Sequence, residues 1–374
     1  TCTITLPSSA ESGDQIVLID YARTWGTNKI IIDSNGLNYQ GNDDTYTVEY
    51  TTDGQSLNIV YSDATKGWLP LEDDVVADEP TAPPTQKGIF GFGVTGSVVS
   101  MTNLVSSSGV VAADVTGVGT ARRRLAAASY GGDKAIFGYG FTTSDVSLSN
   151  LVSNSGVVAA DVTGVGTARD SLSCASYGGD KAIFGYGASG SNVSLTNLVS
   201  NSGVVASDTS GVGTARSSLA AASYGGDKAI FAYGYVHPTF YSLSNLVSNS
   251  GVVAADVTGV GTAREALAAA SYGGDKAIFG YGDPGGGYTA VTNKVSNVGI
   301  VASDTTGVGT IRISLAASPY GGDKAIFAYG YSSGSSSNVS IKNLVNNSGV
   351  VASDVTGVGT ARQNIAAAGF STSA

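Results

Sequence analysis

The chain has 374 residues, of which 13% are charged, with 52 glycines, two cysteines, one histidine and a formal net charge of −10. That length suits two or three domains, and a 42% hydrophobic content argues against wholesale disorder. The scarcity of cysteine and histidine excludes a disulfide framework and a zinc, haem or copper centre; the acidic balance excludes a nucleic-acid binder, and the lack of about 18 consecutive apolar residues excludes membrane insertion.

In chain order, Thr1 opens inside a strand-like run, TCTITLP, which reads as a fragment or a processed product. Further strand-like runs follow at Gln15 to Tyr21, Lys29 to Asp33, Thr45 to Thr51 and Ser56 to Ser62, with turn signals at Asn35-Gly36 and Asp53-Gly54. Residues 1–71 therefore form a small all-β module. Residues 72–85 (EDDVVADEPTAPPT) are acidic and proline-rich, as a semi-extended linker would be. The acidity is concentrated on this side of the chain, because residues 1–84 carry 14 acids against 3 bases and the remainder 15 against 16.

From residue 86 onward the chain is an array. A lysine recurs at Lys87, Lys134, Lys181, Lys228, Lys276 and Lys324, with spacings of 47, 47, 47, 48 and 48, which gives six copies. Within one copy, Lys134 to Tyr139 (KAIFGY) and Val146 to Val152 (VSLSNLV) read as strands, and the Asn154-Ser155-Gly156 turn leads into a further strand, Val157 to Val162. The run LAAASY is too short for a helix between a glycine loop and a Gly-Gly turn, and its small side chains suit a crowded axis. We read it as the innermost strand of a four-stranded unit. The first copy lacks a preceding LAAASY and the last lacks a following KAIF. Each end supplies what the other lacks, so the expected fold is all-β: a six-bladed propeller over residues 86–374, closed by the C-terminal strand.

The order in GTARSSLAAASYGGDKAIFAYG, residues 213–234, resembles the kelch repeat, although Ala-Tyr-Gly, or Gly-Tyr-Gly in other copies, stands where a Gly-Gly pair is usual and the outer-strand tryptophan is absent. The run NLVSNSGVVA(A/S)D(V/T)TGVGTAR resembles propeller repeats of phage virion proteins. The run ITLPSSAESGDQIVLIDYARTWGTNKIIID with YSDATKGWLP resembles a β-sandwich-like or β-prism-like module of phage tail fibres. These resemblances imply a virion appendage with other virion proteins as partners, and the second implies a homotrimer through the N-terminal module.

Two polar positions recur in every copy: the arginines Arg122, Arg169, Arg216, Arg264, Arg312 and Arg362, and the aspartates Asp114, Asp161, Asp208, Asp256, Asp304 and Asp354, each eight residues ahead of an arginine. A contact imposed on every copy is better explained by the scaffold than by a sixfold anion site. The GGD aspartates suit tight turns and lack the ligand count for calcium. No metal, cofactor or catalytic constellation is expected: His237 has no partner pattern for a triad, Glu265 is the only glutamate after residue 84, and Cys174 reads as a small buried hydrophobe.

The copies disagree in two places. One is the segment after the KAIF strand (FTTSDVS, ASGSNVS, YVHPTFYS, DPGGGYTAVT and so on); the other is the pair after each arginine. Loops alternate between the faces of an antiparallel unit, so both variable sets fall on one face, which can diversify while the other is held constant. There Tyr235, His237, Phe240, Tyr241 and Tyr288 offer aromatic planes, and Asp283, Arg123 and Arg124 offer charge. Such groups suit a sugar, whose apolar face stacks and whose hydroxyls hydrogen-bond. The expected function is non-enzymatic binding of a host-surface receptor, a glycan or a protein. A purely structural virion protein and a secreted lectin-like adhesin are the alternatives.

Overall fold

The computed structural model describes residues 1–71 and 86–371; the 72–85 linker expectation lies outside the described residues. The chain divides into two compact units, Thr1–Pro83 and Pro84–Ala374. Both are all-β, and no helix occurs among the described residues.

The first unit has six strands, β1 (Cys2–Thr5), β2 (Gln15–Ile19), β3 (Ile30–Asp33), β4 (Val48–Tyr50), β5 (Ser56–Tyr61) and β6 (Trp68–Pro70). They form two three-stranded sheets, β1-β3-β4 and β2-β5-β6, with β1 parallel to β3. Alternation decides which side chains turn inward: Leu57, Ile59 and Tyr61 of β5 join Ile30, Ile32, Trp25 and Trp68 in one core. The strand expected to run to Tyr21 stops at Ile19. Asp20 accounts for this, since its buried carboxylate accepts backbone N–H bonds from Thr24, Trp25 and Gly54 at 2.9–3.0 Å and so stabilises a turn. The short β6 was not expected from the sequence.

In the second unit each copy supplies three antiparallel strands. In the second copy these are Ala126–Tyr130, Lys134–Gly138 and Ser149–Val152, with the Lys134 strand in the middle. The sixth sheet joins the two ends of the array, because Ala366–Phe370 pairs with Lys87–Gly91, which in turn pairs with Thr102–Val105. The LAAASY strands touch one another in cyclic order, from Ala126–Tyr130 through those beginning at Ser173, Ala220, Ala268 and Ala316 to Ala366–Phe370 and back. Six hydrophobic clusters follow the same cycle, each shared by two consecutive sheets.

Two rings of backbone hydrogen bonds run round this cycle. At the turn after each LAAASY strand, Gly131 donates to Asp180, Gly178 to Asp227, Gly225 to Asp275, Gly273 to Asp323, Gly321 to Gln86 and Ser371 to Asp133, at 2.6–2.9 Å. At the opposite end, Arg124 donates to Asn364, Asn364 to Ser314, Ser314 to Ala266, Ala266 to Ser218, Ser218 to Ser171 and Ser171 to Arg124, at 2.8–3.1 Å. These last six residues all have φ between 52° and 55°. Side chains rarely adopt that conformation, and here the ring of bonds holds it.

The fourth strand expected at Val157 to Val162 is absent. That segment meets the sheet edge through the isolated bridges Val152↔Val158 and Ser149↔Val162, three residues apart on one side and four on the other, with Ala159 N donating to Leu151 O between them at 2.8 Å. The extra residue is a bulge, and its cause is a side chain. Asn150 Nδ2 donates to Ala159 O at 3.0 Å and to Asp161 Oδ1 at 2.9 Å, so a carboxamide anchored on a carboxylate takes a backbone carbonyl that a regular ladder would have paired. The sheets are therefore three-stranded with a bulged edge, which also blunts the edge as a template for aggregation.

Candidate functional site

The recurrent arginines are fully buried. Arg122 Nε donates to Tyr139 O at 2.8 Å, Nη1 to Thr120 O at 3.0 Å and Nη2 to Asn150 Oδ1 at 2.7 Å, while its Cζ lies 4.3 Å from the Phe92 ring centroid. The hydrogen bonds hold its own sheet and the stacking holds the preceding one. The other five arginines repeat this geometry on Tyr139, Tyr186, Tyr233, Tyr281 and Tyr329, at 4.2–4.5 Å. Burial pulls the Arg122 guanidinium down to about 10, with Asp161 opposing it. It stays charged at neutral pH, and no face of it is open to a ligand.

The aspartate eight residues before an arginine serves the preceding arginine in the cycle. Asp161 lies 3.9 Å from Arg122 and accepts from Thr120 N and Oγ1 at 2.6–3.1 Å. Asp208 serves Arg169, Asp256 serves Arg216, and Asp114 serves Arg362 across the two ends of the array. Asp304 and Asp354 accept from Thr262 and Thr310 in the same way. Burial would raise the Asp161 carboxyl, but hydrogen bonds from Thr120 and Asn150 and the Arg122 charge hold it below the ordinary aspartate value.

The two variable sets meet directly. The residue after each arginine bridges the first residue of a variable segment: Arg123↔Phe141, Asp170↔Ala188, Ser217↔Tyr235, Glu265↔Asp283, Ile313↔Tyr331 and Gln363↔Val94. The next residue after each arginine belongs to the hydrogen-bonded ring of positive φ. Above that ring is a cavity of about 420 Å³ whose lining includes Arg124, Asp170, Tyr235, Glu265 and Ser218.

The variable segments also carry two aromatic groups, and Tyr235 of the first lines the cavity. Tyr235 lies 4.8 Å from Phe240 between ring centroids, and its hydroxyl is 2.9 Å from His237 Nδ1. Phe240 also packs against Gly285 of the next copy, so tightly that a Cβ there would fall 2.6 Å from the ring. Tyr288 pairs with Tyr331 at 6.4 Å. Tyr331 was overlooked in the sequence, although it occupies the register of Tyr235 in the other copy that reads AIFAYGY. Tyr241 is half-buried, and its carbonyl accepts from Arg264 N. The expected residues thus fall into two clusters rather than one platform.

The charged residues divide as well. Arg123 stacks on Phe141 at 5.3 Å, and Arg124 pairs with the buried Asp170 at 3.2 Å. Asp283 Oδ1 accepts from Gly285 N, and Asp283 stands directly opposite Glu265. Burial pushes the Glu265 carboxyl above the ordinary glutamate range; a Ser218 hydrogen bond opposes this, the Asp283 charge adds to it and Arg124 opposes it. Glu265 and Asp170 were visible in the sequence as variable residues, but their place in the cavity depends on the bridge register. Among the described residues no group of three or more His, Cys, Asp or Glu side chains is arranged to hold a metal ion. No family model matches the chain, and no curated protein matches it.

Proposed function

We propose that residues 86–374 form a closed six-bladed kelch-like propeller, and that the chain is a non-enzymatic phage virion appendage protein whose propeller binds a glycan on the host surface. The cyclic order of strands, cores and backbone rings supports the closed propeller. The virion assignment, and a homotrimer through a β-sandwich-like or β-prism-like N-terminal module, rest on the resemblance of the repeat and of residues 1–71 to phage appendage sequences. Other virion proteins are then its remaining partners.

One observation carries the binding reading: the positions at which the copies diverge pair with one another, and several of them, Asp170, Ala188, Ser217, Tyr235, Glu265 and Ile313, line one cavity. A scaffold held constant elsewhere and varied here is built as recognition surfaces are. Several weak contacts per particle would combine into strong attachment when geometry lets them engage together. The test is binding of the full chain to an array of host-surface polysaccharides. Substituting Tyr235→Ala and Tyr288→Ala together should weaken binding at least about tenfold, the loss expected when two stacking contacts go, with an unchanged melting temperature. Cleavage of a bound polysaccharide by the purified chain would show the non-enzymatic reading to be wrong.

A further inference from the structure

The variable face is sixfold in backbone but not in charge. Among the two residues that follow each recurrent arginine, the cations are Arg123 and Arg124, both after Arg122. Arg123 is stacked on Phe141, and Arg124 is held by Asp170 in the next sheet. Three sheets away round the cycle the position after the arginine is Glu265, and it exchanges both backbone hydrogen bonds with Asp283 at 2.9 Å. Two carboxylates on directly opposed residues repel one another, and a scaffold has no need of them. None of the other five bridged pairs is of like charge.

What surrounds this acidic pair is aromatic. On one side is Tyr235 with Phe240, the latter pressed against Gly285 of the acidic loop itself; on the other is Tyr331 with Tyr288, which follows Asp283 in that loop. Ser217 and Ile313, the residues after the neighbouring arginines, are uncharged. Glu265 and Tyr235 line the cavity, and carboxylates beside aromatic faces suit a cation, attracted by both the charges and the ring quadrupoles.

We infer that the glycan recognised at this face carries an ammonium group, that is, an amino sugar, and that Glu265 and Asp283 determine this specificity. The inference rests on the glycan-binding reading and narrows it. Burial raises the Glu265 carboxyl and the Asp283 charge adds to it, while the Ser218 hydrogen bond and Arg124, which lines the same cavity but is held by Asp170, oppose it. An ammonium between the carboxylates would relieve their repulsion, whereas a neutral sugar would leave it and an anionic sugar would add to it.

The test uses the full chain and two probes that differ only at nitrogen, a glucosamine oligomer and its N-acetylated counterpart, with binding measured by calorimetry. The glucosamine oligomer should bind at least tenfold more tightly, and the Glu265→Gln, Asp283→Asn double variant should abolish that preference. Because the double variant removes a like-charge pair, its melting temperature should rise while binding falls, so lost binding cannot be ascribed to misfolding. Equal binding of the two oligomers, or tighter binding of the acetylated one, overturns the inference and leaves the glycan reading standing. Binding of neither also overturns it, and a panel of neutral and acidic host glycans then decides the glycan reading separately.

Discussion

Each buried arginine acts as an anchor with fixed geometry more than as a charge. Arg216 donates to Tyr233 O, Thr214 O and Asn245 Oδ1 and stacks on Tyr186. Arg216→Ala would strand those buried acceptors and should cost about 3–5 kcal/mol in chemical denaturation. Arg216→Lys keeps the charge, but a single ammonium cannot span the fork, so a loss of about 2 kcal/mol is expected; equal stability for the Lys variant would refute the geometric role. The recurrent aspartates predict an acid response. Burial would raise Asp256, yet hydrogen bonds from Thr214 and Asn245 and the Arg216 charge hold it below 3.8, and its five counterparts behave alike. A group depressed in the folded state stabilises above its unfolded pKa and loses that contribution as pH falls toward the folded value. The melting temperature should therefore be nearly level from neutrality to about pH 5 and fall steeply below about pH 4, with Asp256→Asn reducing the slope. Glu265 has the opposite sign. Its raised folded pKa costs stability as pH rises through the unfolded value, so Glu265→Gln should gain up to about 1 kcal/mol at neutral pH.

At the scale of the element, the fifth residue of the middle strand in each sheet is small: glycine at 91, 138, 185 and 280, alanine at Ala232 and Ala328. A Cβ at Gly138 would fall 2.5 Å from the Phe184 ring, yet the two alanine copies accommodate one. Their facing rings stand 5.3 Å apart, against 5.0–5.2 Å for the pairs at glycine-bearing copies. Gly138→Ala should thus cost less than about 1 kcal/mol. Gly140→Ala should cost more, about 2 kcal/mol or above, because its φ is +109° and the new Cβ would lie 2.8 Å from the Arg123 carbonyl; thermal melting of the two variants decides the order. The same elements mark where the sequence is legible. Apolar alternation and glycine turns locate all three regular strands of a copy, because these follow from local chemistry. The misread Val157 to Val162 segment depends on where the Asn150 carboxamide reaches, and the service of Asp161 to Arg122 crosses from one copy to another. The facing of Glu265 and Asp283 requires the register of a single bridge, which no spacing along the chain reveals.

The whole second unit has no independent sheet, since each hydrophobic cluster is built from two neighbours and the last cluster unites residues of the sixth copy with Phe90, Val105 and Val111. In such an array stability comes from interfaces between neighbours, and closing the cycle supplies one interface more than an open row would have. The strand Ala366–Phe370 is what closes it, by pairing with Lys87–Gly91 and by carrying Ala366, Ala368 and Phe370 into a core shared with Leu125 and Phe137. Ending the chain after Arg362 removes the strand, opens the edge of Lys87–Gly91 and breaks both backbone rings at one point. The first unit has a separate core, and it holds both tryptophans, Trp25 and Trp68. Tryptophan fluorescence therefore follows the first unit alone, while the tyrosine bands of the near-ultraviolet circular dichroism spectrum are dominated by the second. The truncated chain should melt at an unchanged temperature by fluorescence and at least about 10 °C lower by dichroism, the effect of losing several kcal/mol from a unit of this size. It should also elute as aggregates where the intact chain does not. A truncated chain whose dichroism transition did not move would mean that the terminal strand is dispensable and that the six sheets are stable as an open row.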